Sequence, residues 1–401
     1  MKRISLFEDP GSCSGCGACL TVCPREAITM VPGTLGSLYP RIEEEKCIHC
    51  GKCLRVCSFR ESVSGNRPRN VYAALGRRDE LVKNSASGGV FASVADECLA
   101  AGVPVAGAVM SWEDGQADVY HVLASSAQEL PQIQGSKYVQ SRAWDCYGSV
   151  LRALASGKTV LFSGTPCQVA AVRKLTGDPE NLVTMDLICH GVPSLQSLNE
   201  SAAILAGRLG GKVEQLIFRD KSRGKQFWAR VHTRRGKHSR QWYLRARSFP
   251  FYQMFLEGSI YRESCYRCPY AATERISDIT IGDYWGVRQF HGEQIRRGEM
   301  PDRQDWSCVL VNTEKGQTFL ARYGTSLQLY ESHMEWVAAN NGQLNRPSPL
   351  PEDRQEILDC CSRGNWKAVE DRFIRKNGGW LRFYWRMYKS LYQNRKTEVN
   401  R

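Results

Sequence analysis

The chain has 401 residues, of which 42% are hydrophobic and 24% charged, and its formal net charge is +13 at pH 7. This length predicts about two to four domains. The sequence contains neither an apolar run of about 18 residues, as a transmembrane helix requires, nor a signal-peptide core before its first cysteine. We therefore expect a cytoplasmic protein. Because that compartment disfavours disulfides, the 17 cysteines indicate metal or iron–sulfur ligands.

Eight cysteines near the N-terminus repeat one spacing, C-x2-C-x2-C-x3-C, and the first run is followed by Pro24. Bacterial two-cluster ferredoxins have this spacing, and in them the fourth cysteine of each run binds the cluster of the other run. We therefore predict a ferredoxin domain over residues 1–66, with two zinc knuckles as the alternative. The first 4Fe–4S cluster is assigned to Cys13, Cys16, Cys19 and Cys57, and the second to Cys47, Cys50, Cys53 and Cys23.

A linker over residues 62–70 separates this domain from a larger region. There a strand over residues 71–79 is followed by a loop of small residues that opens a helix, which Gly102 closes. The loop contains Ser85, Ser87, Gly88 and Gly89. Bare amides at a helix N-terminus can bind phosphate, and an ordinary helix start is the alternative.

A second polar loop, over residues 133–141, precedes a predicted helix from Trp144 to Ala155. Lys137 in this loop is a candidate for contact with a phosphate or a flavin ring, and a solvated loop lysine is the alternative. The stretch SGKTV (156–160) is not a P-loop, because Arg152 stands where the motif needs glycine.

Two strand–turn–helix units follow. The first has a strand over residues 160–163 and a helix opened by Pro166. The second has a strand that ends near Ile188 and a helix after Pro193. A further strand over residues 212–220 continues the alternation, which predicts an α/β body with a largely parallel sheet.

Cys167 and Cys189 follow the strands of these two units, where ligands bind in parallel sheets. Farther along, Cys265 and Cys268 form a C-x-x-C pair without a second such pair nearby. The four cysteines can therefore converge on a third 4Fe–4S cluster. Buried free thiols at the first two positions and an incomplete zinc site at the others are the alternative.

Six stretches follow one another in order between residues 70 and 320: SASGGVFASVA, QGSKYVQS, LFSGTPCQVAAVRKL, DLICHGVPS, SCYRCPYA and SDITIGDYWG. This series resembles the coenzyme F420 hydrogenase/dehydrogenase beta-subunit family. The resemblance implies an FAD-binding region over residues 70–150 and a region over residues 155–330 that carries FAD and the third cluster. The residues that it places around FAD are Ser85, Ser87, Gly88, Gly89, Gly135, Ser136, Lys137, Tyr138, Ser163, Gly164, Thr165 and Gln168.

Lys137, His190 and Asp283 are the candidate catalytic residues. His190 adjoins a proposed cluster ligand and is a candidate proton donor. Asp283 ends another predicted strand and faces the same cleft, with a structural hydrogen bond as the alternative. The hydrogenase subunit that names the family lacks an N-terminal ferredoxin, and this departure favours electron exchange with soluble ferredoxin.

Basic and aromatic residues alternate over residues 218–249, which predicts an antiparallel hairpin with its turn at 234–237. Its expected partner is acidic or phosphorylated. Nucleic acid is not expected, because no binding motif accompanies the charge. Three clusters and one flavin would also reduce the net charge to about +5. The basic and aromatic tail, residues 350–401, is predicted to be helical and to dock on the body, on a partner or on a membrane surface.

The predicted function is that of an iron–sulfur flavoprotein oxidoreductase. Electrons from ferredoxin or another redox protein would pass through three clusters to FAD, which pairs them to reduce a small organic substrate. The alternative is an electron-transfer subunit of a larger redox complex, with coenzyme F420 as a carrier that it can use. A basic iron–sulfur nucleic-acid protein is a third class.

Overall fold

The computed structural model describes residues 5–224, 227–303, 305–363 and 365–398. Parts of four predictions lie outside these residues. They are the start of the ferredoxin domain (1–4), two positions of the basic segment (225–226), position 304 of the predicted region 155–330, and position 364 and the end (399–401) of the helical tail.

Short strands and helices are interspersed up to the last described strand, which ends at Glu331, and only helices follow it in the described residues. The strands are β1 (Ile28–Pro32), β2 (Leu38–Ile42), β3 (Asn70–Gly76), β4 (Val105–Glu113), β5 (Gln116–Ala124), β6 (Val160–Gly164), β7 (Leu182–Leu187), β8 (Lys212–Phe218), β9 (Trp228–Arg235), β10 (His238–Arg245), β11 (Ile279–Asp283), β12 (Ser307–Val311) and β13 (Leu327–Glu331). The helices are α1 (Ala18–Thr21), α2 (Lys52–Arg55), α3 (Asp79–Lys83), α4 (Val90–Ala100), α5 (Leu130–Ile133), α6 (Trp144–Ala155), α7 (Pro166–Thr176), α8 (Leu195–Leu209), α9 (Pro250–Leu256), α10 (Val287–Phe290), α11 (Gly292–Arg296), α12 (Glu314–Tyr323), α13 (Met334–Asn340), α14 (Arg354–Arg363), α15 (Trp366–Lys376) and α16 (Gly379–Glu398).

The N-terminal region is built on the antiparallel β1–β2 hairpin and on the two short helices α1 and α2. Each helix begins directly after a glycine with a positive φ, Gly17 at 77° and Gly51 at 69°. Glycine adopts this conformation without steric cost. The chain can therefore turn sharply within each cysteine run.

The body is centred on an eight-stranded sheet in the order β13-β3-β12-β11-β7-β6-β4-β5. Its four central strands, β11, β7, β6 and β4, pair in parallel, and the outer strands pair antiparallel. Every residue of β6 is buried, as expected for a strand covered on both faces. The predicted α/β class is confirmed, but the sheet is mixed rather than largely parallel, because three of its strand pairings are parallel and four are antiparallel.

Strands from both predicted body regions share this sheet. β3, β4 and β5 come from residues 70–150, and β6, β7, β11 and β12 come from residues 155–330. The carboxyl ends of the parallel strands β6 and β7 lie at the same end of the sheet. The turns that lead from them into α7 and α8 carry Cys167 and Cys189 there.

β8 does not continue the parallel sheet, so that part of the sequence prediction is wrong. It pairs antiparallel with β9 in a separate three-stranded sheet, β10-β9-β8. The physical reason is that its residues alternate between buried and less buried positions, a pattern of antiparallel strands with one covered face. The predicted hairpin is confirmed, with Arg235 opposite His238 at its turn.

The predicted helical tail is confirmed over α14, α15 and α16. α15 packs on α8, where the fully buried Glu370 carboxylate pairs with Arg208 at 3.0 Å. The Arg208 guanidinium also lies 5.0 Å from the centre of the Phe383 ring in α16. These contacts fasten the tail to the body. None of the described helices is both long and apolar enough to span a bilayer.

We expect Arg208→Met to loosen α15 and α16, because it leaves the Glu370 carboxylate buried without its partner, at a cost of about 3–5 kcal/mol. Hydrogen exchange over residues 366–391 measures the effect. The double variant Arg208→Met/Glu370→Met removes both charges and should recover most of the lost protection. Equal protection in wild type and Arg208→Met would contradict this account of the tail.

Candidate functional site

The eight N-terminal cysteines line two cavities. The first cavity contains all four members of what we call the first cysteine set, Cys13, Cys16, Cys19 and Cys57. The second contains the second cysteine set, Cys23, Cys47, Cys50 and Cys53. The crossed arrangement expected from the spacing is therefore compatible with the folded chain.

The surroundings of these sulfurs suit a bound cluster. The Gly15 amide donates to the Cys13 sulfur at 3.4 Å, and the Ala27 amide to the Cys23 sulfur at 3.3 Å. Such N–H donors stabilise cluster sulfurs and tune their potential. Burial raises the pKa of Cys16 to about 12. A thiolate there needs the positive charge that iron supplies.

The four later cysteines are also brought together. Cys167, Cys189, Cys265 and Cys268, the third cysteine set, line one cavity. Cys167 stands in the first turn of α7, and Cys189 follows β7, the strand parallel to β6. A turn of 3-10 helix over residues Glu263–Arg267 carries Cys265 to the same cavity.

The third cavity adjoins the first. Ser14 and Phe59 line both of them, and Cys16 and Cys167 are close enough for the charge on one to affect the other. The Tyr147 hydroxyl donates to the Cys16 carbonyl at 3.1 Å, which ties α6 to the N-terminal region. The first and third sets are therefore neighbours across the domain boundary.

None of the 17 cysteines forms a disulfide in the structure. Within the described ranges, no three His, Cys, Asp or Glu side chains are grouped to hold a metal ion. The cysteines instead stand around the walls of cavities, an arrangement with room between the sulfurs. A four-iron cluster held by one thiolate per iron has this requirement.

The three loops that were predicted to surround FAD meet in the structure. The Gln134 side-chain amide donates to the Ser85 hydroxyl at 3.1 Å, which joins the first and second loops. The buried His121 ring lies 3.1 Å from the Ser163 carbonyl. Burial is the main reason that the pKa of His121 is lowered to about 4, and the nearby charge of Lys137 lowers it further.

Several of these predicted cofactor residues are held by the protein itself. The Ser87 hydroxyl donates to the Trp306 carbonyl at 2.7 Å, and the Gly88 amide donates to the Ser307 hydroxyl at 2.9 Å. Gln168 caps α7 through the Thr165 amide at 3.0 Å. The groups that remain suited to an anion are the first turn of α4, which has no side-chain cap, and the Lys137 ammonium.

Lys137 is partly buried, and its ammonium donates to the Gln134 carbonyl at 2.8 Å. Burial lowers the pKa of Lys137 to about 7. The ring of the neighbouring Tyr138 stacks on Phe255 at 4.2 Å between centres. Phe255 contacts Tyr261 at 5.6 Å. These rings form a continuous path between the second loop and Tyr261.

Tyr261 completes this path at the third cysteine set. A Cβ at Gly191 would lie 2.3 Å from the Tyr261 ring, so the turn after Cys189 must have glycine there. His190 lines the third cavity and keeps an exposed surface, while burial of the rest of its ring lowers its pKa.

Asp283 is engaged by Arg219, a residue that the sequence analysis missed. The two side chains form a bidentate ion pair at 2.9 and 3.0 Å, and Arg219 also donates to the Ala86 carbonyl at 2.9 Å. Arg219 has a φ of +58° and lies over the Phe227 ring at 4.7 Å. Its place directly after β8 offered no local signal of this contact.

The sequence analysis also missed two buried arginines beside the third cavity, Arg262 and Arg275, each 1% exposed. Arg275 pairs with the buried Asp186 at 2.8 Å. Only their closeness in sequence to Cys265 and Cys268 could have indicated that these arginines lie beside the third cavity.

A cavity of about 510 Å³ lies elsewhere, between the β1–β2 hairpin and α8. Gln140 and Trp144 line it, and none of the predicted cofactor residues does. The chemistry described above therefore belongs to the smaller cysteine-lined cavities.

Comparisons with known proteins match both regions. Residues 157–335 match the family described as the C terminus of the coenzyme F420 hydrogenase/dehydrogenase beta subunit, and residues 12–60 match the 4Fe-4S dicluster domain. The F subunit of the F(420)H(2) dehydrogenase of Methanosarcina mazei is 23% identical over 331 residues, which are 80% of this chain and 84% of that protein. The coenzyme F420 hydrogenase subunit beta of Methanococcus voltae is 24% identical over 262 residues, 63% of this chain and 80% of that protein. A solved chain of the F420-reducing NiFe hydrogenase complex of Methanosarcina barkeri has 17% identity and a TM-score of 0.45, over 77% of this chain and 93% of that one.

We expect Lys137→Met to flatten the dependence of stability on pH above neutrality. With the folded-state pKa of Lys137 at about 7 and an ordinary value of about 10.4, the unfolded chain binds an extra proton between these pH values. Stability therefore rises with pH in that window, and the variant should lose this rise. Urea unfolding from pH 7 to about 10 measures it. The exposed Lys158 provides the control, Lys158→Met, and identical profiles for wild type and Lys137→Met would contradict the account.

Proposed function

We propose that this iron–sulfur protein is an electron-transfer subunit of a larger redox complex. The proposal rests on two matches: residues 157–335 match the C terminus of the coenzyme F420 hydrogenase/dehydrogenase beta subunit, and residues 12–60 match the 4Fe-4S dicluster domain. The family predicted from the sequence is confirmed. The chain passes single electrons between a two-electron carrier at the body and a partner at the ferredoxin domain.

The observation that carries this proposal is that the cavities of the first and third cysteine sets adjoin. The two cavities share Ser14 and Phe59, and the second set lies beyond the first, with Cys53 lining both N-terminal cavities. Three four-iron clusters bound there would be adjacent in the order second, first, third. Each cluster exchanges one electron at a time.

The residues of the chain bind these clusters and surround them. The twelve thiolates bind iron, and backbone amides such as those of Gly15 and Ala27 donate to the sulfurs. Tyr270 closes one wall, because its hydroxyl donates to the Ser58 carbonyl at 2.6 Å and its ring packs on Phe59. Tyr270 and Phe59 both line the third cavity and help to exclude water there.

A flavin-type carrier, FAD or coenzyme F420, is proposed at the meeting point of the three loops. When bound there, such a carrier supplies the conversion between electron pairs and single electrons. The uncapped start of α4 and Lys137 suit its phosphate groups. Arg219 and Asp283 hold the first loop in place, and the path from Tyr138 to Tyr261 leads to the third set.

The tail offers a docking surface for an acidic partner protein. α16 exposes Leu381, Tyr384, Trp385 and Tyr388, which are 53–91% accessible, at the spacing of one helical face. The same helix carries Arg382, Arg386 and Lys389 and has no acidic residue before Glu398. The relatives are named as subunits, and we extend that arrangement to this chain.

Ferredoxin-linked, FAD-dependent reduction of an organic substrate in the cytoplasm is our second proposal. The exposed His190 side chain favours it, because His190 lines the third cavity and is a proton donor of the kind that substrate reduction needs.

The anaerobically purified chain should contain about twelve iron atoms, from three four-iron clusters. Cys265→Ser/Cys268→Ser removes two ligands of the third set, and we expect its iron content to fall to about eight. The matched control is Cys98→Ser/Cys308→Ser, two buried cysteines outside the three sets, which should keep the full content. About eight iron atoms in the wild type would contradict the third cluster.

We also expect reduced coenzyme F420 to reduce the clusters of the isolated chain, because oxidation of one carrier molecule releases two electrons. Loss of the reduced coenzyme and growth of the cluster EPR signals are followed together without oxygen. Lys137→Met should slow this reaction and leave reduction by dithionite unchanged. Clusters that reduced ferredoxin reduces and coenzyme F420 does not would favour the second proposal instead.

A further inference from the structure

Arg262 is fixed between the loops that carry the third cysteine set. Its amide donates to the Val192 carbonyl, and its carbonyl accepts from the Cys265 amide, both at 2.9 Å. The side chain is 1% exposed and lines the third cavity. Both ends of its backbone are therefore held at the walls of that cavity.

The guanidinium of Arg262 extends from there into the ferredoxin domain. Its Nε donates to the Cys13 carbonyl at 2.7 Å, and one terminal nitrogen donates to the Leu38 carbonyl at 2.8 Å. The other terminal nitrogen is 3.6 Å from the Cys13 sulfur. A Cβ at Gly15, whose φ is +64°, would lie 2.6 Å from the guanidinium. The first cysteine run is thus shaped around this side chain.

The charge of Arg262 has no carboxylate partner among the ion pairs of the described ranges. Its remaining contacts are neutral, the Gln140 amide oxygen at 3.2 Å and the Tyr39 ring at 4.1 Å. Arg275, equally buried beside the same cavity, is paired with Asp186 at 2.8 Å. A buried cation without a countercharge is strongly disfavoured. A four-iron cluster with four thiolates carries net negative charge and would supply that countercharge.

We propose that Arg262 is the common countercharge of the clusters bound by the first and third cysteine sets, and that it sets their reduction potentials together. This inference rests on the proposed function. Reduction adds one negative charge to a cluster, and a fixed cation in a dry site stabilises that form. Because one guanidinium adjoins both sets, it makes both clusters easier to reduce and shifts their potentials in the same direction.

Redox titration of the cluster-loaded full chain, followed by EPR, tests this positioning role. In Arg262→Met we expect the midpoint potentials of two clusters to move to more negative values, while that of the third stays unchanged. The unchanged cluster is the one bound by the second cysteine set. Arg262 contacts Cys13 of the first set and lines the cavity of the third, but it does not line the cavity of the second. Cys265→Ser/Cys268→Ser identifies the signal of the third set.

Two variants separate charge from packing. Arg262→Lys keeps a positive charge and should show smaller shifts than Arg262→Met. Arg267→Met removes a nearby charge that is 61% exposed and pairs with Asp9, and it should leave all potentials in place. If Arg262→Met does not bind clusters, the same potentials are measured in Arg262→Gln, which also removes the charge but keeps a polar side chain.

The outcomes distinguish the two proposals. Unchanged potentials, a shift of one cluster only, or equal shifts in Arg262→Lys and Arg262→Met would overturn the role given to Arg262. A wild type without the third cluster would instead overturn the proposed function, and its iron content shows this before any titration.

Discussion

The parallel pairing of β6 with β7 places the turns after both strands at one edge of the sheet, and with them Cys167 and Cys189. The strands there are largely buried, which holds these turns in place. Arg275 and Asp186 reinforce it with an ion pair that is almost fully buried. Cys265 and Cys268 then complete a third cysteine set.

The ferredoxin domain docks against this edge through buried polar contacts. Tyr147 and Tyr270 of the body donate to the carbonyls of Cys16 and Ser58 in that domain, and Arg262 reaches it from the segment before Cys265. These contacts fix the first and third sets beside each other. A flexible tether would leave the distance between them, and with it the rate of electron exchange, undefined.

Much of the site could be predicted because its signals are local. The spacing of the N-terminal cysteines, and the strand–turn–helix units before Cys167 and Cys189, specify structure within a few residues. The structural role of Gln168 was also readable, because Thr165 and Gln168 have the spacing of a capping box. β8 was instead assigned wrongly to the parallel sheet, although its residues alternate in burial as in an antiparallel strand with one covered face.

The contacts of the arginines could not be predicted in the same way. Arg219 meets Asp283 across 64 residues, and Arg262 meets Cys13 across 249. Such pairs are set by how the domains pack, and no local pattern in the sequence specifies that packing. Because these arginines are buried, their positive charges interact more strongly with neighbouring groups than they would in water.

The most direct test of the account is the EPR spectrum of the fully reduced, cluster-loaded protein. Clusters bound by the first and third sets should interact magnetically, because the cavities of the two sets adjoin and share Ser14 and Phe59. The account predicts a spectrum broadened by this interaction, and a narrower one in Cys265→Ser/Cys268→Ser. A wild-type spectrum that is a simple sum of isolated clusters would contradict a continuous line of clusters from the ferredoxin domain into the body.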